Sequence, residues 1–113
     1  MPRDEACLLD MLLWARRVRS FNDGLDWSLF DVDIKAQAAT LHALQVIGEA
    51  AGKVSDAYQA AHPEIPWRKI TGLRHRLVHD YGRVDMSIIW DIVTADVDPL
   101  IAALVALVPP ETL

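Results

Sequence analysis

Several things are scarce in this sequence, and each scarcity removes a class of protein. Its 113 residues include one cysteine, Cys7, so no internal disulfide forms and a reducing compartment is the better fit. With no cysteine cluster, the common thiolate zinc site is excluded too. The longest apolar run, Ile101 to Pro110, is too short to span a bilayer. The N-terminus opens with Pro2, Arg3, Asp4 and Glu5 and continues into no long apolar core, so no secretory signal is read. The expectation is a soluble cytoplasmic protein without a membrane contact. Basic residues are also few: 11 Lys and Arg stand against 16 Asp and Glu, for a net charge of −5. That balance disfavours a generic nucleic-acid coat.

What is present suits one globular domain over residues 1–113. Hydrophobic residues make up 52% and charged residues 24%, as in folded chains rather than disordered ones. A chain of this length buries roughly two-thirds of its unfolded surface and needs no staple.

Apolar spacing predicts an all-α fold, an antiparallel bundle of about four main helices. Pro2, Asp4 and Glu5 suit a helix start. That helix runs to about Arg19 or Ser20 and stops at Asn22-Asp23-Gly24. Its apolar residues wrap more than one stripe, which predicts neighbours on two sides. A short connection through Trp27 and Phe30 leads to a second helix, from Asp31 or Asp33 to about Tyr58. Gly48 and Gly52 inside it cost about 1 kcal/mol each relative to alanine, and close approach of another helix would offset that cost. His62-Pro63-Glu64-Ile65-Pro66 reads as a loop. Trp67, Ile70, Leu73 and Leu77 mark a third helix, with Gly82 placed to end it. Asp85 is a candidate N-cap for a fourth helix, which Pro99 should kink by removing its bond to Ala95.

The charge is unevenly spread. From Trp67 to Arg83, Arg68, Lys69, Arg74, Arg76 and Arg83 face a single acid, Asp80. Within that stretch Arg74, His75, Arg76, His79 and Tyr81 fall inside eight residues. Arginine grips phosphate with a fixed fork of donors, and histidine moves a proton near neutral pH. A base to deprotonate a 2′-hydroxyl, an acid for the leaving 5′-oxygen and a cation on the phosphate suffice to cleave RNA without a metal. Arg74 and His79 are five residues apart, about 140° around a regular helix. Two arrangements remain open: a helix that ends near His79, or a site shared across a two-fold axis, where a dimer supplies His79 twice. No Asp/His/Cys constellation has ligand spacing, so neither a metal nor a cofactor is expected.

Arg74-x4-His79-x-Tyr81 resembles the Arg-x4-His-x-Tyr signature of the HEPN superfamily, specifically its HepT-like toxins. Ile47-Gly48-Glu49-Ala50-Ala51, Ile65-Pro66-Trp67, Gly72-Leu73-Arg74, Leu77-Val78-His79-Asp80-Tyr81 and Ile89-Trp90-x-Ile92-Val93 with the later Pro99 look like family blocks. They occur in order, from roughly Asp31 to Leu107. The resemblance implies a helical, homodimeric, metal-independent ribonuclease toxin of a two-gene toxin–antitoxin module. Its antitoxin would be a minimal nucleotidyltransferase, MntA-like, that silences the toxin by AMPylation of the motif tyrosine. Carried over, the catalytic residues are Arg74 and His79, and the modified residue is Tyr81. His75 occupies the polar position after the arginine.

Other readings stand beside these. His79 would equally suit a helix end, and Tyr81 a packing role. Arg76 and Arg83 would contact RNA or solvent. Glu49 would support the site by bonding Arg74 or a neighbouring helix. Arg16, Arg17 and Arg19 suit a helix C-terminus more than an RNA track, Trp14, Trp27, Trp67 and Trp90 suit packing more than base stacking, and His42 and His62 carry no assigned role. A rival function is a non-catalytic helical subunit that binds a nucleotide or a nucleotidyltransferase.

Overall fold

The computed structural model describes residues 2–79 and 84–109, with the backbone alone at residues 2 and 74–79. All elements among them are helical: α1 (Pro2–Phe21), α2 (Trp27–Phe30), α3 (Ile34–Gly52), α4 (Asp56–Ala61), α5 (Trp67–His79), α6 (Met86–Asp91), a π-helical segment (Ile92–Asp96) and α7 (Val97–Leu107). The all-α expectation holds.

Side chains set most helix starts. Asp26 accepts a hydrogen bond from the Leu29 N–H at 2.9 Å, Asp33 from Ala36 at 2.9 Å, and Asp85 from Ser87 at 2.9 Å. Each satisfies an amide that the helix leaves unpaired. The predicted stop after α1 is a turn in which Gly24 takes φ +76°, a conformation that costs glycine little.

Two expectations need correction. The second long helix does not reach Tyr58. It ends at Gly52, and Ser55 starts the separate α4 by accepting from the Tyr58 N–H at 3.2 Å. Gln59 then donates to the Ala51 and Val54 carbonyls at 3.3 and 3.0 Å, so the freed end of α3 is satisfied from α4. Gly52 is accordingly a helix terminus. A Cβ built there would meet the Thr71 methyl at an ordinary 3.8 Å, so close approach does not explain this glycine. The short connection through Trp27 and Phe30 contains the single helical turn α2.

The second correction concerns Pro99. The fourth helix is not simply kinked there; it is split into α6 and α7 by the π segment. Proline lacks an N–H and its ring crowds the carbonyl four residues back, here Ala95. Widening the preceding turn relieves both, and the Val97 N–H bonds to the Ile92 carbonyl five residues earlier.

The core has α3 at its centre, packed on α1 at one side and α5 at the other, with α7 against α1. That gives α1 the two neighbours its apolar stripes require. Leu8, Met11, Leu12, Val18, Phe30, Ile65, Ile89 and Leu104 are buried. Inside this core, Asn22 Nδ2 donates to the Val18 carbonyl at 2.8 Å and to Thr40 Oγ1 at 2.9 Å, tying α1 to α3.

The other end of α1 is tied by a carboxylate. Asp4 is buried and accepts from the Ser55 N–H at 2.8 Å and the Ser55 hydroxyl at 2.7 Å. These bonds, the backbone one first, hold its carboxyl below the ordinary value of 3.8. A depressed folded pKa gives stability that is present above the unfolded pKa and lost as pH falls through the folded one. Melting temperature should therefore drop in acid below about pH 4, and Asp4→Asn should flatten that part of the profile. Equal acid slopes for both proteins would contradict this.

Candidate active site

Pro66 and Ile65 launch α5, the element that carries the basic segment. Ile65 is buried, the Trp67 indole N–H donates to the His62 carbonyl at 2.9 Å, and the Ile70 N–H reaches the Pro66 carbonyl at 3.0 Å. The loop thus fixes where α5 begins. Ile70 and Leu73 pack partly buried against the core. Thr71 bonds back to the Trp67 carbonyl at 3.0 Å and faces Gly52 of α3. One side of the helix is anchored on α3, and the polar residues of the motif follow on its last turns.

Arg74, His75, Arg76 and His79 all lie on the α5 backbone, which is helical through His79. Positions 74 and 79 are therefore in one regular helix, about 140° apart in azimuth and about 7.5 Å apart in rise. Tyr81, Gly82 and Arg83 fall outside the described residues.

Glu49 lies on the exposed side of α3 and pairs with Lys53, one turn on, at 3.5 Å. Such an exposed pair contributes little stability, and the carboxylate is not desolvated. Of the other bases in the segment, Lys69 pairs with Asp96 at 3.2 Å, and Arg68 is exposed. Among the described residues no three His, Cys, Asp or Glu side chains come together as a metal site.

Two features were not read from the sequence. The first is a mainly apolar groove of about 530 Å³ between α5 and the split fourth helix, lined by residues such as Leu44, Ile47, Ile70, Leu73, Ile92 and Leu100. The π segment helps to form it, and the proline that produces that segment was its only visible signal. The second is a cluster on α1 and α3. The Arg17 guanidinium lies 4.4 Å from the centre of the Trp14 ring, and His42 meets the same indole edge-on at 5.2 Å. Trp14 and Arg17, three apart, were visible as a helical pair; His42 joins them only through the α1–α3 packing.

Residues 11–107 match the family model described as ribonuclease HepT-like, a range that includes Arg74 and His79. A protein of Thermococcus cleftensis named as a probable ribonuclease HepT is 35% identical over 83 residues, covering 74% of this chain and 76% of the relative. One from Methanocaldococcus jannaschii, named as a candidate RNase, is 34% identical over 93 residues, covering 82% and 85%. A second from the same organism, named likewise, is 34% identical over 95 residues, covering 82% and 78%. No solved structure gives a significant match. No helix among the described residues is long and apolar enough to cross a membrane.

Proposed function

The chain belongs to the ribonuclease HepT-like family, and from that premise we propose that it is a metal-independent endoribonuclease, active as a homodimer. The observation that carries this is the family match over residues 11–107, within which one helix bears both Arg74 and His79. Arg74 holds and neutralises the scissile phosphate. His79 acts in proton transfer, and its copy in the second subunit supplies the complementary acid or base. The 2′-hydroxyl attacks the adjacent phosphorus, and the 5′-oxygen leaves with a proton. The products carry a 2′,3′-cyclic phosphate and a 5′-hydroxyl.

His75, Arg76 and Glu49 support the site, and Tyr81 lines it. In the cell the chain is the toxin of a two-gene module. Its partner is a minimal nucleotidyltransferase, MntA-like, and AMP added to Tyr81 would crowd the place where RNA binds with extra negative charge.

The test is cleavage of a broad RNA panel by purified, unmodified protein in excess chelator, with the product ends identified. Cyclic phosphate ends are expected. No cleavage by a protein confirmed as dimeric would replace this reading with the non-catalytic binding subunit.

A further inference from the structure

On the exposed side of α3, Lys35, His42 and Glu49 follow one another at seven-residue spacing, which keeps them on one stripe. This stripe lies between α1 and α5, since α3 packs on both. At its α1 border sits the Trp14–Arg17–His42 cluster.

The cluster has three properties of a stacking platform. Trp14 is half-buried, so its ring is held by packing. Arg17 is exposed, and its guanidinium lies over the indole at 4.4 Å. No carboxylate among the described residues pairs with Arg17, whereas Arg19 on the same helix is held by Asp98 at 3.3 Å. His42 is exposed beside them, with ring nitrogens available to a hydrogen-bonding ligand. Unpaired bases stack on guanidinium planes and on aromatic rings largely without regard to sequence.

The position of the cluster relates it to the motif. Thr71 of α5 stands beside Gly52 of α3, while Ile70 and Leu73 share the apolar groove with Ile47 and Leu44. The two helices therefore run in opposite directions. His79 lies eight residues beyond Thr71, a rise of about 12 Å. The same distance back along α3 from Gly52 reaches Leu44, two residues from His42. The motif end of α5 and the cluster on α1 thus stand at the same height on either side of α3.

We infer that Trp14, Arg17 and His42 form a subsite for an unpaired nucleobase of single-stranded RNA, flanking the phosphate held at the motif. A base stacks on Arg17, which is itself stacked on Trp14, and His42 bonds the base edge or the adjoining phosphate. This inference rests on the ribonuclease reading above.

The experiment measures binding of a fluorescent, uncleavable 2′-O-methyl oligoribonucleotide of about ten nucleotides by anisotropy. Arg17→Ala and His42→Ala should each weaken binding, Arg17→Ala by about tenfold. Arg17→Lys should weaken it nearly as much, because it keeps the charge but loses the plane. Arg3→Ala, which removes a charge from the far end of α1, should leave the Kd unchanged. Loss of stability is checked by thermal melting of each variant. An unchanged Kd in Arg17→Ala overturns the subsite, as does an equal loss in Arg3→Ala, which would mean diffuse attraction. Full affinity in Arg17→Lys overturns the stack, and absence of binding by the unsubstituted protein overturns the whole inference. Failure of the ribonuclease reading looks different: the oligonucleotide binds with this pattern, yet its unmethylated counterpart is not cut.

Discussion

His79→Ala should leave a folded protein whose rate of RNA cleavage has fallen by about 10²–10⁴-fold, the usual contribution of a positioned acid or base. Arg74→Ala should lose about 10²–10³-fold, as expected when a donor to developing phosphate charge is removed. Arg74→Lys should recover little of that, since lysine offers a point charge and not a fork. The double variant should be hardly worse than His79→Ala alone, because groups acting as one unit are not additive. Single-turnover cleavage in chelator measures all four. The regular backbone from 74 to 79 adds a sharper test. If two subunits share one site, mixing His79→Ala protein with unsubstituted protein should lower activity by more than dilution. Simple dilution behaviour would place the whole site in one chain and refute the shared arrangement.

Phe30→Ala should be the most damaging substitution far from the motif, at about 3–5 kcal/mol. Phe30 is fully buried although it comes from a four-residue helix. Its ring packs on Trp90 of α6 with centroids 4.9 Å apart, and Gln37 of α3 donates to its carbonyl at 2.9 Å. One side chain therefore ties the α1–α3 connection to the split fourth helix. For a domain with total stability of about 5–15 kcal/mol, that loss should lower Tm by roughly 10–20 °C. Val32→Ser and Ile34→Ser, at 75% and 77% exposure only a few residues away, should change stability by less than about 0.5 kcal/mol. Thermal denaturation of the three variants tests the contrast. A near-neutral Phe30→Ala would show that the connection is not part of the cooperative core.

The periodic parts of the fold were legible because burial imposes a period. The apolar stripes of α1, α3 and α5 and the capping role of Asp85 all follow from local pattern. The break after Gly52 was not, because Asp4, some fifty residues away, holds Ser55 in place. Local apolar spacing continues through Val54 and conceals the stop. The split at the π segment was half legible: Pro99 predicted a disturbance, but not whether the chain would bend or widen. The candidate site is legible in a different way. Arg74 and His79 stand out by residue type and spacing, and the structure adds the helix that carries them. Trp14 and His42 have no sequence relation, and only the packing of α1 on α3 makes them neighbours.

The widened turn at Ile92–Asp96 also bears on how chains of this kind gain and lose residues. A π segment holds one residue more than the α-helix it interrupts. Five residues wound as a π turn rotate the chain about as far as four α-helical ones. Deleting a single residue such as Ala95, with Pro99 replaced, would restore an even helix and leave Leu104 facing the core, while the wall that Ile92 and Asp96 give the groove beside α5 would be redrawn. A one-residue gap between 92 and 96 in an aligned relative, accompanied by loss of the proline, would therefore mark a local change in that groove with the rest of the helix still in register.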